Sequence, residues 1–270
     1  MKRVFHVKHS MLLRTILLGA AVQACLFGSE TDVGYTANYS NVVWRVRLGM
    51  TDFTGRDAGW FDVCVSSQSG VVMLPNGLER PYSFKAEIMS DTELPFWLFT
   101  GKSKTTEVEY LDSRYMPVFS DLKIVTPKGT VRSLTWIEED SSGEKLHIRL
   151  VTESGKTREK KLDLKERTLT ASNIPFLVKE AMQKNGKQLQ CRMINKANLE
   201  IKKITFKTEP FDGRPEATQY AGDSQKEIKK LSIDFHVIGG TAVFYIDKDI
   251  NPYYGEGIGV KAVSLRSDTQ

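Results

Sequence analysis

The chain has 270 residues, 26% charged and 40% hydrophobic, with 38 Lys and Arg against 33 Asp and Glu. Residues 1–24 hold four basic residues and no acid, so the formal charge of +5 falls to +1 over the remainder. That balance excludes nucleic-acid binding through a basic surface, and the ~245 residues that follow suffice for one large domain with its own core.

In chain order, the first element is an export signal. Lys2, Arg3, Lys8 and Arg14 precede the apolar run Ile16 to Val22, and small residues stand at its exit. This is the three-part pattern of a cleavable secretory signal. The run is shorter than the ~20 apolar residues needed to cross a bilayer. Val22-Gln23-Ala24-Cys25 resembles a bacterial lipobox, with Gln23 in place of the usual small residue. The expectation is a signal over residues 1–24, lipidation at Cys25, a short tether over residues 25–32 and one domain over residues 33–266. Acyl chains on Cys25 would attach the protein to a membrane surface rather than through it, placing it in the periplasm, anchored to the outer membrane. Cys64 and Cys191 then remain as a candidate disulfide in an oxidising compartment. Two buried thiols in strands fit the sequence equally well.

From Trp44 onward the pattern has period two. Trp44, Val46, Leu48 and Met50 alternate with Arg45 and Arg47, and Phe61, Val63 and Val65 with Asp62 and Cys64. A short apolar run, Leu94 to Phe99, reads as a single helical turn or a loop. Leu146, Ile148 and Leu150 resume the alternation, as do Leu189, Cys191 and Met193, then Ile204 and Phe206, then Leu231, Ile233 and Phe235. One wet and one buried face is the mark of antiparallel strands. Turn signals such as Pro75-Asn76-Gly77, Pro127-Lys128-Gly129 and Glu153-Ser154-Gly155 divide them into hairpins. The one clear helix starts at Ser172 or Asn173, either of which can cap it, and admits Pro175 in its first turn. Ile174, Leu177, Val178, Ala181 and Met182 form its apolar stripe, and Gly186 ends it. It is expected to lie across the sheet.

Chemistry is sparse. Asp247-Lys248-Asp249-Ile250-Asn251 starts like a calcium loop, but Pro252 stands where Gly is required and Ile258 where the bidentate Glu belongs; it reads as a turn. His147 and His236 sit singly on polar strand sides, with no ligand at metal-binding spacing, and read as surface residues. The acids Glu138, Glu139 and Asp140 read as solvated. No nucleophile, phosphate-loop or dinucleotide motif occurs, so no cofactor, metal or catalytic residue is expected. Trp44, Trp60, Trp97 and Trp136 lie on or beside apolar strand faces, as core or as the wall of a pocket.

Three segments and the chain's ending carry a resemblance. Tyr35 to Tyr39 leading into Val42 to Gly49 is similar to an opening strand. Tyr110-Leu111-Asp112-Ser113-Arg114-Tyr115-Met116-Pro117-Val118 is similar to an inter-strand turn. Asn173 to Met182 followed by Asn185-Gly186-Lys187 is similar to a helix leading into a long strand, and Phe244 to Pro252 to a closing hairpin. In this order they resemble a family of bacterial periplasmic proteins of unknown function, related in fold to the lipoprotein carriers LolA and LolB. The chain departs from that family at Asn173-Ile174-Pro175, where an acidic residue and Pro are usual, and at Phe244, where Trp is usual. The resemblance implies a mainly β fold, a curved antiparallel half-barrel with one amphipathic helix across its concave face. It also implies an apolar ligand or lipid held there, with Leu177, Ala181 and Met182 facing it from the helix and Trp44 and Trp136 from the sheet. The function expected is a non-enzymatic, lipid-binding envelope protein. The alternatives are a structural or protein-interaction module filled by its own side chains, and an enzyme acting on an envelope polymer or lipid.

Overall fold

The computed structural model describes residues 41–52, 54–96, 99–141, 143–164, 168–185, 188–196, 199–221, 228–235, 240–257 and 260–265. The signal, Cys25, the tether and His236 lie outside them. Fifteen strands run in chain order: β1 (Val42–Asp52), β2 (Asp57–Met73), β3 (Glu79–Phe96), β4 (Phe99–Leu111), β5 (Pro117–Thr126), β6 (Gly129–Asp140), β7 (Gly143–Thr152) and β8 (Thr157–Asp163). Then follow β9 (Thr168–Leu169), helix α1 (Ile174–Asn185), β10 (Gln188–Asn195), β11 (Glu200–Pro210), helix α2 (Pro215–Ala221), β12 (Lys229–Phe235), β13 (Gly240–Ile246), β14 (Pro252–Gly257) and β15 (Val260–Ser264). Among the described residues no helix is long and apolar enough to cross a membrane.

All fifteen strands form one sheet, in the order β8 to β1 followed by β15 to β9. Every neighbouring pair is antiparallel except β9–β10, which is parallel. A parallel pair cannot be joined by a tight hairpin, and α1 supplies that connection. Laid flat, the sheet would be about 70 Å wide at ~4.8 Å per strand, beyond the ~10 strands that open sheets tolerate without curling. It curls. Leu146, Ile148 and Leu150 of β7 pack on Ile194 of β10, on Leu199 just ahead of β11 and on Ile201 of β11, so strands one place in from each edge meet across the inside. The edge strands β8 and β9 are consecutive in the chain but are not hydrogen-bonded neighbours. Thr157–Asp163 is mostly exposed and rich in Lys, Arg and Glu, which discourages pairing with other chains.

The inner face of β1 to β4 carries Val46, Leu48, Phe61, Val63, Val65, Ala86, Ile88 and Leu111, against which Phe176 of α1 packs. Leu177 and Val178 face the opposite wall, among Cys191, Met193, Ile204, Phe206, Ile233 and Phe244. The apolar side of α1 thus occupies the concavity, as the sequence pattern indicates. Fully buried side chains of this size are each worth about 1.5–3 kcal/mol.

Several expectations are corrected. Leu94 to Phe96, expected in a helical turn or loop, instead end β3 and pair with Gly101, Thr100 and Phe99 of β4, while Trp97 and Leu98 lie outside the described residues. A short apolar run has too few residues to reveal its period, and the length of the hairpin decides. Helix α2, seven residues opened by Pro215, escapes the sequence reading; its Ala217 covers Tyr245 and Tyr254 on the outer face. Cys64 and Cys191 are not joined. Cys64 alternates with the inward Val63 and Val65 and so faces outward, whereas Cys191 belongs to the inner core.

Five hairpins share one turn. In each, the first residue's N–H donates to the carbonyl four residues on, and the fourth residue's N–H donates back to the first carbonyl; the turns start at Asp52, Leu74, Asp112, Thr152 and Asp247. The fourth residue has positive φ: Gly55, Gly77 and Gly155 in three cases, but Tyr115 (φ 60°) and Ile250 (φ 65°) in the others. Left-handed backbone is unfavourable for side chains that bulky. Both Tyr115 and Ile250 are held by packing beside α1.

At Gly59 (φ +114°) a Cβ would lie 2.1 Å from the carbonyl oxygen of Asp91 on β3. Gly59→Ala is therefore expected to destabilise the fold by about 1–3 kcal/mol, read as a lower urea midpoint with an unchanged slope.

Candidate functional site

Two features make up the candidate site: a polar cluster inside the curl, and a pair of clefts at the mouth, one on each side of α1. The cluster begins on β4 to β6; on β4 and in the middle of β6 polar side chains take the inner face, while β5 adds Ser120 beside the buried Leu122 and Ile124. Glu107 and Glu109 of β4, Ser120 of β5, and Ser133 and Thr135 of β6 point inward and are buried, while Val108, Tyr110, Leu134 and Trp136 lie on the opposite side of their strands. Glu109, Ser120 and Thr135 are consecutive partners in one register row.

Onto this wall comes Lys196, from the turn between β10 and β11. Its Nζ donates to Glu109 Oε1 at 2.7 Å and to Glu107 Oε1, with the lysine side chain 8% exposed and the two carboxylates 5% or less. Its carbonyl accepts from Ser133 Oγ at 3.0 Å. The other oxygen of Glu109 accepts from Thr170 Oγ1 at 2.7 Å and from Ser172 Oγ. Asn173 Oδ1 accepts from the Thr170 N–H at 2.7 Å, and its Nδ2 donates to the carbonyls of Tyr115 and Thr168 at 3.0 and 3.2 Å. Ser172 and Asn173, read from sequence as helix caps, thus turn their side chains to Glu109 and to the Asp112–Met116 turn.

Burial pushes the Glu107 carboxyl above its ordinary value; the Lys196 ammonium opposes the shift and Glu109 adds to it. Burial alone would lower the Lys196 ammonium, but the two facing carboxylates outweigh it and raise it, so it stays charged across the neutral range. One cation thus faces two carboxyl groups in a buried site.

At the mouth, Asp112 accepts from the N–H groups of Arg114 (2.7 Å) and Met116 (2.8 Å), fixing the turn that presents Tyr115. The Tyr115 ring stacks on Phe176 of α1 at 3.9 Å and on Phe84 of β3 at 4.4 Å, and Trp44 meets Phe176 edge-on at 6.5 Å. On one side of this aromatic row a cleft of about 870 Å³ is lined by Arg80, Tyr115, Met116, Ile137, Leu177 and Glu180, among others. On the other, a cleft of about 670 Å³ is lined by Val42, Trp44, Tyr115, Phe176, Lys179 and Asn251, among others. Tyr115 and Glu180 border both. Trp44 Nε1 is buried with no acceptor among the described residues. Both volumes fall in the range of ligand clefts. The Asp247 turn closes the second: Asp247 Oδ1 accepts from the N–H groups of Asp249 (2.8 Å) and Asn251 (2.9 Å), so the calcium-like spacing serves as the expected turn.

Of the residues expected to line a cavity, Leu177 and Trp44 border the two clefts, one each. The side chains of Ala181 and Met182 lie outside the described ones. Trp136 is corrected: it is on the outer face, where Nε1 donates to Glu138 Oε1 at 2.8 Å and the indole stacks on His147 at 5.1 Å, with Arg149 over the ring at 5.3 Å. His147, read as a surface residue, is buried there, 3.0 Å from Glu138. Glu138, read as solvated, thereby holds both rings. Sequence reasoning passed over Glu107, Glu109, Lys196 and Phe176. Phe176 stands directly after Pro175 at the start of the helix and outside the chosen stripe, and periodicity reads the acids as the wet side of a strand.

No protein-family model matches the chain, and no curated protein does. Among solved structures, a β-barrel-like protein of a domain of unknown function, DUF1849, from Brucella abortus is similar. The TM-score is 0.49 at 10% sequence identity, over 83% of this chain and 98% of that one.

Two outcomes test this description of the cluster. Lys196→Met leaves two buried carboxylates uncompensated and should lower stability by about 3–5 kcal/mol, read by urea unfolding. Glu107 contributes stability below about pH 4.5, its ordinary value, and loses it as pH rises through its raised folded value. Glu107→Gln removes this term, so the stability of that variant relative to the wild type should climb as pH is taken from 4 to 7. A difference independent of pH would show that Glu107 titrates as an ordinary carboxyl.

Proposed function

We propose that this chain is a non-catalytic protein of the cell envelope, exported by its N-terminal signal and tethered through Cys25, that binds a segment of a partner protein in the clefts flanking α1. The observation that carries this reading is where open space occurs. The concavity that would hold an acyl chain is occupied by Phe176, Leu177 and Val178 from one side and by Ile194, Lys196 and Leu199 from the other. Substantial volume is found instead at the mouth, in two clefts that share Tyr115 and Glu180.

The lining supports a polypeptide ligand. Tyr, Trp, Met and Arg are the residue types enriched at protein interfaces, and Trp44, Arg80, Arg114, Tyr115 and Met116 border these clefts. The Tyr115–Phe176 stack stands beside both clefts through Tyr115, and side chains already packed in place cost little entropy to use.

A second reading keeps a lipid as ligand, and one observation favours it. The plug is the apolar side of a single helix, so withdrawing α1 would uncover a chamber walled by Leu48, Phe61, Val63 and Ile88. Each buried methylene of an acyl chain would then gain ~0.8 kcal/mol.

The test places a photo-crosslinking amino acid at Tyr115 in the full-length protein, and at Val125, an exposed residue of β5, as control. A discrete protein adduct is expected from position 115 only, and it should disappear when Ser113→Trp fills the first cleft. Equal labelling from both positions would overturn the reading. Native mass spectrometry of the mature protein with Cys25→Ser, mixed with phospholipid, should return the apo mass; a retained lipid would transfer the assignment to the second reading.

A further inference from the structure

The two clefts beside α1 differ in how their charges are matched. In the second, every ionic side chain of the lining is engaged. Arg45 donates to both carboxylate oxygens of Asp62, at 3.1 and 2.6 Å, Lys179 is joined to Asp249, and Glu180 has a partner of its own. In the first cleft Arg114 pairs with Asp112 at 3.2 Å. Arg80, Glu139 and Glu144 line that cleft as well, and none of the three has a side-chain partner among the described residues. Two unmatched carboxylates therefore stand against one unmatched guanidinium.

The two acids are also neighbours. Glu139 of β6 and Glu144 of β7 are register partners, so their side chains project from the same face with Cβ atoms ~5 Å apart. Alternation sets which face. Ile137 and Leu146, two residues further in along each strand, belong to the apolar wall inside the curl, and the acids continue that same face at the mouth. Like charges directly opposite one another weaken a ladder. Both residues are exposed, so water and salt screen the pair and the cost is small, but no described group offsets it.

We infer that the partner segment carries a lysine or arginine side chain in the first cleft, ending at Glu139 and Glu144, and places uncharged residues in the second. This rests on the reading of the clefts as the site of a partner segment, and it specifies that segment's chemistry. Below the acids the first cleft is lined by Met116, Ile137, Leu164 and Leu177. A long basic side chain buries its apolar stem and keeps its charged head at a polar rim, and this wall offers both surfaces in that order. A free metal ion would use the carboxylates and leave the apolar floor unused, and among the described residues no group of three or more His, Cys, Asp or Glu is gathered to hold one. In the second cleft Val42, Val43, Trp44, Pro175 and Phe176 offer apolar surface beside ion pairs already made, so a charged side chain entering there would compete with an existing pair. Tyr115 borders both clefts. A segment crossing it has its basic residue on one side and its uncharged residues on the other.

The test uses the full-length protein with the photo-crosslinking amino acid at Tyr115. Glu139→Lys combined with Glu144→Lys should reduce the protein adduct more than about tenfold, because like charges then meet across the interface. Glu93→Lys combined with Glu153→Lys, at two exposed acids that border neither cleft, makes the same change in net charge and should leave the adduct in place. The urea midpoints of both double variants should match the unsubstituted protein, which separates lost binding from lost fold. Acetyl-Leu-Lys-Leu-amide at millimolar concentration should compete with the adduct more strongly than acetyl-Leu-Glu-Leu-amide. An adduct that survives reversal at 139 and 144, or competition by the glutamate peptide as strong as by the lysine peptide, would overturn the inference and leave the reading of the clefts standing. Absence of any adduct from the unsubstituted chain would overturn both, and an adduct of dimer mass would assign the clefts to a second copy and overturn the inference.

Discussion

A sheet of fifteen strands cannot lie flat and bury one face, and once curled it encloses more space than its own side chains fill from the walls. This protein meets that constraint by returning parts of its chain to the inside. Helix α1 enters where a parallel crossover is required between β9 and β10, and the turn after β10 enters with Lys196 at its tip. The two insertions differ in chemistry. Phe176, Leu177 and Val178 are held by apolar packing, which is non-directional. Lys196 is held by charge, hydroxyl and carbonyl partners, which admit one geometry.

The ionic cluster is better understood as a device of specificity than of stability. Taking two carboxylates and an ammonium out of water is costly, and apolar replacements of similar volume often match or exceed the stability of such groups. What they supply here is register across the interior. Glu109 alone joins β4 to Lys196 and to Thr170 and Ser172 ahead of α1. Asn173, next in sequence, ties that same segment to the turn carrying Tyr115. The position of the aromatic ridge at the mouth is therefore linked, through a short run of hydrogen bonds, to the wall of the curl. A binding site on a ridge set in this way needs little further ordering when a ligand arrives.

Two strained turns lie in the same region. The turn that recurs in five hairpins has glycine at its left-handed position wherever the hairpin is remote from α1, and tyrosine or isoleucine in the two that adjoin it. Tyr115 and Ile250 accept an unfavourable backbone because their side chains reach stacking or core partners that glycine would leave empty. Asp112 and Asp247 offset part of that cost by accepting two backbone N–H groups each. At Tyr115 and Ile250 the backbone cost falls beside the clefts and fixes where those side chains stand, while Leu199 (φ 57°) carries the same conformation where it packs on β7.

The sequence by itself determined the local elements. Alternation marked β1, β2, β7 and β10 to β12 because each buries one face. The stripe from Ile174, with Pro175 and Gly186 at its ends, marked α1, and Asp247 to Asn251 was legible as a turn because a calcium site there would need a glycine that is absent. The inner side of β4 to β6 was decided only by tertiary structure. Read alone, Val108, Tyr110, Leu134 and Trp136 are the apolar face of their strands, which is why Trp136 was expected inside and His147 in solvent. The strands turn the other way because Lys196, 87 and 89 residues from Glu109 and Glu107, compensates acids that periodicity assigns to water, while Trp136 finds Glu138 and His147 on the outer face. Periodicity reports that the two sides of a strand differ. Which side faces inward depends on a partner that only the closed fold brings within hydrogen-bonding distance.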